Sequence, residues 1–355
     1  MIETIMLVAP GFYKKTGYYF RAIRDKDALE KNGHKVTIIG FKFPYCLNSD
    51  GEKVRFRTAI SSLFNSDRII SENIAPSLFA FPFFNKRRVM VVHGSLEDLK
   101  PFKFYFLKRI LYSFLLKYAL RNYDSIISVS NAMSDYLRRL VSKDIENIIT
   151  IPNLPDDDFL DNVENAINLK NHSEISELDR RRKYLCYCGN SQKWQKIDFL
   201  LDVFSFIHKN NDEIDLLILT KDIDYFSKEI EKRGINTERV ILKTVKNTEV
   251  PRYLVASHLL YLLRDNDEIN NVACPTKAME YLASGSEIIL SKGLGDISDL
   301  VRFHNRGIVV DLDSINDSSI IGDLIIQRIK DSTPKVSVDI DDYRLSNYDK
   351  EYQKL

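Results

Sequence analysis

Short runs of β-branched and aliphatic residues alternate with stretches of helical period along nearly the whole chain, the pattern of βαβ units on parallel sheets. In the first half, Thr4–Ala9, Lys35–Ile39, Arg68–Ser71, Val89–Val92, Ser125–Val129 and Ile148–Ile151 read as strands. Tyr18–Asn32, Phe102–Arg121 and Ala132–Val141 read as helices. Gly33 stands just past the first helix, where a C-cap calls for a positive φ, and Asn131 is placed as the N-cap of the third. The second half repeats the scheme. Its predicted strands are Tyr184–Tyr187, Asp215–Leu219, Val240–Lys243, Leu259–Leu263, Glu287–Leu290 and Gly307–Asp311. Its predicted helices are Ile197–Lys209, Ile223–Lys232, Val250–Ser257, Thr276–Ala283, Ile297–Phe303 and Ser319–Lys330.

Between the halves, Asp156–Arg182 is polar with few large apolar residues, so the hinge is expected there. The reading is of two doubly wound, Rossmann-like α/β domains, 1–165 and 183–331, joined by a linker at 166–182. The tail from 332 to 355 shows no strand signal; it is expected to pack back on the first domain, with Asp342–Leu355 as a short tyrosine-bearing helix. Ligands of such sheets sit beyond the carboxyl ends of the strands, here in a cleft between two domains.

Composition narrows the class. With 355 residues, 44% hydrophobic and 28% charged, the chain is no disordered, collagen-like or disulfide-scaffold protein. Four cysteines without metal-ligand spacing read as reduced thiols, and Cys186 and Cys188, two apart, share one strand face as core residues. No basic lead with an apolar core opens the chain and no apolar run of ~18 residues occurs, so neither a secretory signal nor a transmembrane helix is expected. The net charge of +1 hides an asymmetry: residues 1–125 hold 21 Lys and Arg against 11 Asp and Glu, residues 126–355 hold 30 against 39. A basic first half suits an anionic partner.

Chemistry is sought directly after each strand. Pro10–Gly17 is a Gly-containing loop running into a helix, a phosphate cradle or a plain turn; it has neither dinucleotide nor Walker spacing. His93, followed by Gly94, ends a central strand, where it either hydrogen-bonds an acceptor hydroxyl or serves the fold. Gly189-Asn190-Ser191-Gln192-Lys193-Trp194-Gln195-Lys196 is a second strand–glycine–helix loop with two lysines; Trp194 is a stacking platform or, preferably, a packed residue. Cys274–Gly285 is the sharpest segment. Pro275 and Thr276 start a helix, and Lys277 lies in its first turn, where the dipole disfavours a cation unless an anion binds beside it. Glu280 follows on the same face, an acceptor-only carboxylate suited to a pair of ribose hydroxyls.

In this order and spacing the motifs resemble the family 4-type glycosyltransferases of the GT-B fold, over nearly all of the chain. The matching segments include Gly17, Asn32–Val36, Val91–His93, Tyr123–Ser130, Ile151–Asn153, Asp158-Phe159, Tyr187–Gly189, Pro275–Gly285 and Gly307–Val310. The resemblance implies transfer of a sugar from a nucleoside diphosphate donor to a hydroxyl acceptor, usually with retention. It implies a donor site of Gly17, Gly189, Asn190, Lys193, Gln195, Lys196, Thr276, Lys277 and Glu280, the glutamate on ribose. His93 and Ser130 are expected on the acceptor, with His93 and Glu280 in the catalytic centre. A subgroup of bacterial polysaccharide enzymes is similar in its Lys-Trp-Gln loop and Pro-x-Lys-x-x-Glu-Tyr helix. On that likeness Lys193 or Lys196 joins Lys277 on the diphosphate.

The chain departs from the family pattern where Arg, Lys and an earlier Glu are common: Asn190, Gln195 and Val272 stand there. A non-catalytic GT-B subunit that binds nucleotide sugars, and a nucleotide-sugar epimerase, stay open as alternatives. No cofactor or metal is expected; Asp265-Asn266-Asp267 reads as D-x-D, but that pattern is frequent in this acidic half. Residues 100–121 carry six basic residues, no acid and many aromatics. They form either a helix lying on an anionic membrane, suited to a lipid-linked or other saccharide acceptor, or a sheet-covering helix whose cations reach outward. No nucleic-acid motif is present. The expected location is the cytoplasm, with peripheral attachment to the inner face of the cell membrane.

Overall fold

The computed structural model describes residues 2–9, 12–13, 17–42, 44–141, 145–168, 178–179, 181–331 and 338–355. Fourteen strands form two sheets among them. The first sheet contains β1 (Ile2–Val8), β2 (His34–Lys42), β3 (Tyr45–Leu47), β4 (Lys53–Val54), β5 (Arg68–Glu72), β6 (Arg87–Val92), β7 (Ser125–Ser128) and β8 (Ile148–Thr150). Their order is β4-β3-β2-β1-β5-β6-β7-β8. The second contains β9 (Lys183–Cys188), β10 (Ile214–Leu219), β11 (Val240–Lys243), β12 (Leu259–Leu262), β13 (Glu287–Ser291) and β14 (Gly307–Val310). Their order is β11-β10-β9-β12-β13-β14, the doubly wound arrangement.

Every pairing is parallel except β2 with β3 and β3 with β4. That edge hairpin corrects the expectation of a wholly parallel first sheet. Its strands have three and two residues, too few to leave a period in the sequence. Helices Phe56–Asn65 and Ile74–Ala80 were likewise unforeseen. The chain reverses direction across each sheet at a switch point, β1 beside β5 in one and β9 beside β12 in the other. Loops diverge there, and ligands of this architecture bind at their carboxyl ends.

The chain divides into two units, Met1–Asn153 with Leu345–Leu355, and Leu154–Arg344. The division falls before Leu154 rather than within 166–182. Helix Asp157–Asn168 buries Phe159, Leu160, Val163 and Ala166 and packs on helix Val250–Ala256 of the second unit. Its apolar residues recur at helical spacing, a signal masked by the polar composition between them. Arg344 extends the same attachment through Asp161 (2.7 Å) and Asp157 (3.4 Å). The last eleven residues belong to the first unit: Tyr352 and Leu355 are fully buried among Met6, Val36, Ile70 and Ile127.

In each unit the central strands are buried on both faces and their apolar side chains form the core. The four cysteines are free; Cys46, Cys186 and Cys274 are buried. Gly33 adopts φ +85° behind helix Gly17–Lys31. Asn131 is not the cap of helix Asn131–Val141. Ser130 is: its Oγ accepts from the Met133 amide at 2.9 Å. Among the described residues no helix is long and apolar enough to cross a membrane.

Candidate active site

In the second unit the site grows from the carboxyl end of β9. Gly189 continues the sheet, its amide donating to Leu219 O at 2.9 Å, before the chain turns into helix Ile197–Asn210. A Cβ there would collide with Lys277 Nζ and lie 2.8 Å from Tyr187 Oη, so only glycine admits this close approach. The loop is held by its own polar groups. Tyr187 Oη donates to Asn190 O at 2.5 Å, and the Ser191 amide and hydroxyl both donate to Asp222 Oδ2 at 2.7 and 2.8 Å. Asn190 Oδ1 accepts from the Gln192 amide at 3.3 Å. Asn190 thus shapes the loop.

Helix Thr276–Ala283 brings in the other half. Thr276 begins it, and Lys277 points back over the β9 end. The ammonium lies 4.6 Å from the Tyr187 ring centroid and donates to the buried Gln195 Oε1 at 3.4 Å. Burial, aided by the positive charge of Arg264, pushes the Lys277 pKa down to about 8, against the opposing pull of Cys188 and Glu280. Glu280, half-buried one turn further on, is close enough for its charge to act on both Lys277 and Cys188.

The remaining expected cations are placed differently. Lys196, in the left-handed conformation at φ +49°, binds Asp265 Oδ1 at 2.6 Å, and Lys193 is exposed. Trp194 is 51% exposed, contrary to the preference for a packed residue; it rides on the one-turn helix Lys193–Gln195 within the loop. Of the D-x-D acids, Asp265 is spent on Lys196. Asp267 Oδ1 accepts from the Asn270 amide (2.9 Å) and side chain (3.0 Å), capping a short helix. Val272 is buried.

Next to the Gly189 loop, residues just after β9, β10 and β11 enclose a cavity of about 200 Å³ whose polar lining includes Asn190, Thr220, Lys221 and Thr244. Of these, the sequence pattern singles out only Asn190, in the glycine loop after β9. Thr220 and Thr244 follow their strands in the same way and were open to the same rule. Arg264, directly after Leu263, carries no motif of its own beside the D-x-D acids that follow it.

The first unit holds a second constellation at its own switch point. His93 follows β6, and its Nε2 lies 3.0 Å from Oε2 of Glu72, the last residue of β5. Glu72 is fully buried; burial raises its pKa, against the lowering effect of His93. Beside them is a cavity of about 280 Å³, lined by Asn73, Gly94, Ser95, Asp98, Phe102 and Lys108 among others. Glu72 was missed because a strand-terminal glutamate carries no motif. Ser130 lies in this unit, buried, with its hydroxyl used as the helix cap. Gly17 opens the first helix, while most of its loop lies outside the described residues.

Residues 169–336, a little under half of the chain, match the family model of glycosyl transferases group 1. No curated protein sequence matches the chain. Solved structures share its architecture. Sucrose-phosphate synthase from Thermosynechococcus elongatus is similar at 15% identity and a TM-score of 0.67, over 100% of this chain and 94% of that one. HepE from Anabaena, in complex with UDP and glucose, is similar at 15% identity and a TM-score of 0.62, over 93% and 90%. WaaG, a glycosyltransferase involved in lipopolysaccharide biosynthesis, is similar at 12% identity and a TM-score of 0.65, over 99% and 94%. The common fold is GT-B.

Proposed function

Taking the chain as a glycosyltransferase with a group 1 domain in its second unit, we propose that it moves a sugar from a nucleoside diphosphate donor to a hydroxyl acceptor. The second unit takes the donor and the first the acceptor. One observation carries the reading: an ammonium group, Lys277, is held against Gly189 and the Tyr187 ring at a switch point, with Glu280 one turn along the same helix. A half-buried cation without a bonded carboxylate suits an anionic ligand, and a neighbouring carboxylate suits hydroxyls. Lys277 then binds the diphosphate, Glu280 the ribose, and the cavity beyond Gly189 the base. UDP and glucose in the HepE structure support a uridine donor as the first to try.

As the sugar–phosphate bond breaks, negative charge gathers on the diphosphate. A fixed cation in a partly desolvated site stabilises that state more than the ground state. The acceptor hydroxyl gives up its proton, to His93 or to a departing phosphate oxygen, so no protein nucleophile is required. The reading gives the diphosphate charge to side chains rather than to a metal, and transfer should therefore persist in excess EDTA. It includes retention of the anomeric configuration, checked by NMR of the first-formed product.

The acceptor reading extends to a lipid-linked or surface-polysaccharide precursor at the inner face of the cell membrane. Its support is helix Tyr105–Asn122 with the turn before it, where Phe102, Phe104, Phe106, Leu107, Ile110 and Phe114 are all exposed. The role of WaaG in lipopolysaccharide biosynthesis points the same way. The decisive experiment pairs a thermal-shift screen of nucleoside diphosphate sugars with transfer assays of Glu280→Ala and Lys277→Ala. A donor bound by the folded state raises the melting point, and each substitution is expected to cut transfer at least ~10-fold. Wild-type rates in both variants would refute the assignment. Donor binding without transfer or hydrolysis would mark a non-catalytic subunit, and conversion of the donor without acceptor an epimerase.

A further inference from the structure

The second cation at the β9/β12 switch point is Arg264. It follows Leu263 just past the end of β12, the strand paired with β9. Its backbone is pinned twice by the last residue of β13: its amide donates to Ser291 Oγ at 2.6 Å, and Ser291 Oγ donates to its carbonyl at 2.6 Å. The position is therefore built, whereas the side chain is left unsatisfied. Arg264 Nε is buried with no hydrogen-bond partner, and no ion pair joins the guanidinium to any described carboxylate. Asp267 is the acid whose charge reaches it, but the Oδ1 of that residue is used by Asn270. The other groups acting on it are the Tyr187 and Tyr281 hydroxyls, and its charge also reaches Lys277.

A buried charged donor left without a partner costs stability, and a like charge beside it adds to that cost. Some cations elsewhere are paired, Lys196 with Asp265 and Arg328 with Glu287 at 2.7 Å. The buried Arg68, Arg88 and Arg306 also have an unpartnered Nε and no described carboxylate, but their Nη atoms bond to His34, to Tyr118 and Asn122 O, and to Leu282 O. At this switch point the molecule leaves two cations without a bonded carboxylate. Asn190, in the loop after β9, turns its side chain to its own loop.

We propose that Arg264, at the carboxyl end of β12 beside β9, is a second ligand of the donor diphosphate and shares its charge with Lys277. The inference rests on the reading of this site as the donor site. It adds a cation at the end of β12 to the one that Lys277 supplies. The guanidinium fork suits two phosphate oxygens, and the anion completes what the protein leaves open.

The test is calorimetric titration of the full chain, wild type and Arg264→Gln, with UDP, uridine and inorganic pyrophosphate. Arg264→Gln should weaken UDP and pyrophosphate by tenfold or more, the worth of one charge-assisted hydrogen bond, and uridine by less than about twofold. The ligand-free variant should melt no lower than wild type, because an unpartnered buried charge has been removed. Arg264→Lys should recover part of the affinity. UDP binding within twofold of wild type, or an equal loss for UDP and uridine with a lowered melting point, would overturn the proposal and leave Arg264 a packing residue. A wild type that binds pyrophosphate but no nucleoside diphosphate would instead bring down the donor-site reading while leaving the anion site standing.

Discussion

Lys277 carries the most consequential charge in the second unit, and its protonation sets a pH dependence. Its folded-state pKa lies near 8, below the ordinary lysine value of 10.5, because burial and Arg264 disfavour the ammonium. The unfolded chain therefore binds more protons than the folded one between pH 8 and 10.5, and this group's contribution makes the free protein more stable as pH rises through that window. Ligand affinity runs the other way. Calorimetric titration with UDP should show binding that weakens steadily above pH 8, a trend that Lys277→Met should abolish. In the first unit, Glu72→Gln takes the charge from the carboxylate beside His93. Transfer should fall ~10-fold, the worth of a hydrogen bond to a charged group, with donor affinity unchanged. Equal losses in both would mean that Glu72 only supports the fold.

Helix Tyr105–Asn122 shows how one element serves two environments. Its second half buries Leu115, Leu116, Ala119 and Leu120 in the first unit. Its beginning leaves Phe106 71% exposed and Leu107 65% exposed, with Lys103 and Arg109 among the exposed residues nearby. The later turns thus cover the core, as in the sheet-covering reading, while the exposed aromatic and basic residues of the first turns are what the membrane reading would use. Phe106→Ser with Leu107→Ser is expected to reduce co-sedimentation with anionic phospholipid vesicles at least ~10-fold, since each apolar side chain withdrawn from water contributes about 1.5–3 kcal/mol. Lys103→Gln should cost about 1 kcal/mol of the same binding. Circular dichroism should be unchanged, because none of these side chains is in the core. Vesicle binding equal to wild type in the triple variant would remove the membrane reading.

At the level of the whole molecule, the chain's last residues complete the unit built by its first ones. Tyr352 Oη donates to Asp25 Oδ1 at 2.6 Å, and Asp25 accepts from Arg21 Nε at 2.8 Å. Arg21 Nη1 in turn donates to the carbonyls of Ile151 (3.0 Å) and Pro152 (2.9 Å) and to Asn153 Oδ1 (3.0 Å), where the first unit ends. Truncation after Arg344 removes the fully buried Tyr352 and Leu355 and leaves Asp25 with one partner fewer. Burial of those two side chains is worth about 3–6 kcal/mol, so the first thermal transition should drop by on the order of 10 °C in calorimetry. A melting profile identical to the full chain would show the tail to be an appendage.

The elements were legible because their signals are local. Alternation of β-branched runs with helical periods located both sheets, and the spacing of Pro275, Lys277 and Glu280 at one short helix pointed to the proposed donor site without knowledge of any neighbour. Gly189 was legible as a glycine after a strand, but not as the position that Lys277 Nζ closes upon. Helix Asp157–Asn168 escaped because its composition is polar even though its period is helical. What the order of residues alone determined is therefore the repertoire of strands and helices, set by backbone sterics and short-range periodicity. Which strand ends meet was decided by the folding of the sheets: Glu72 beside His93, Arg264 near Lys277, and Lys196 withdrawn onto Asp265. A charge becomes costly or useful only through the groups and the burial around it, and those come from segments tens of residues apart.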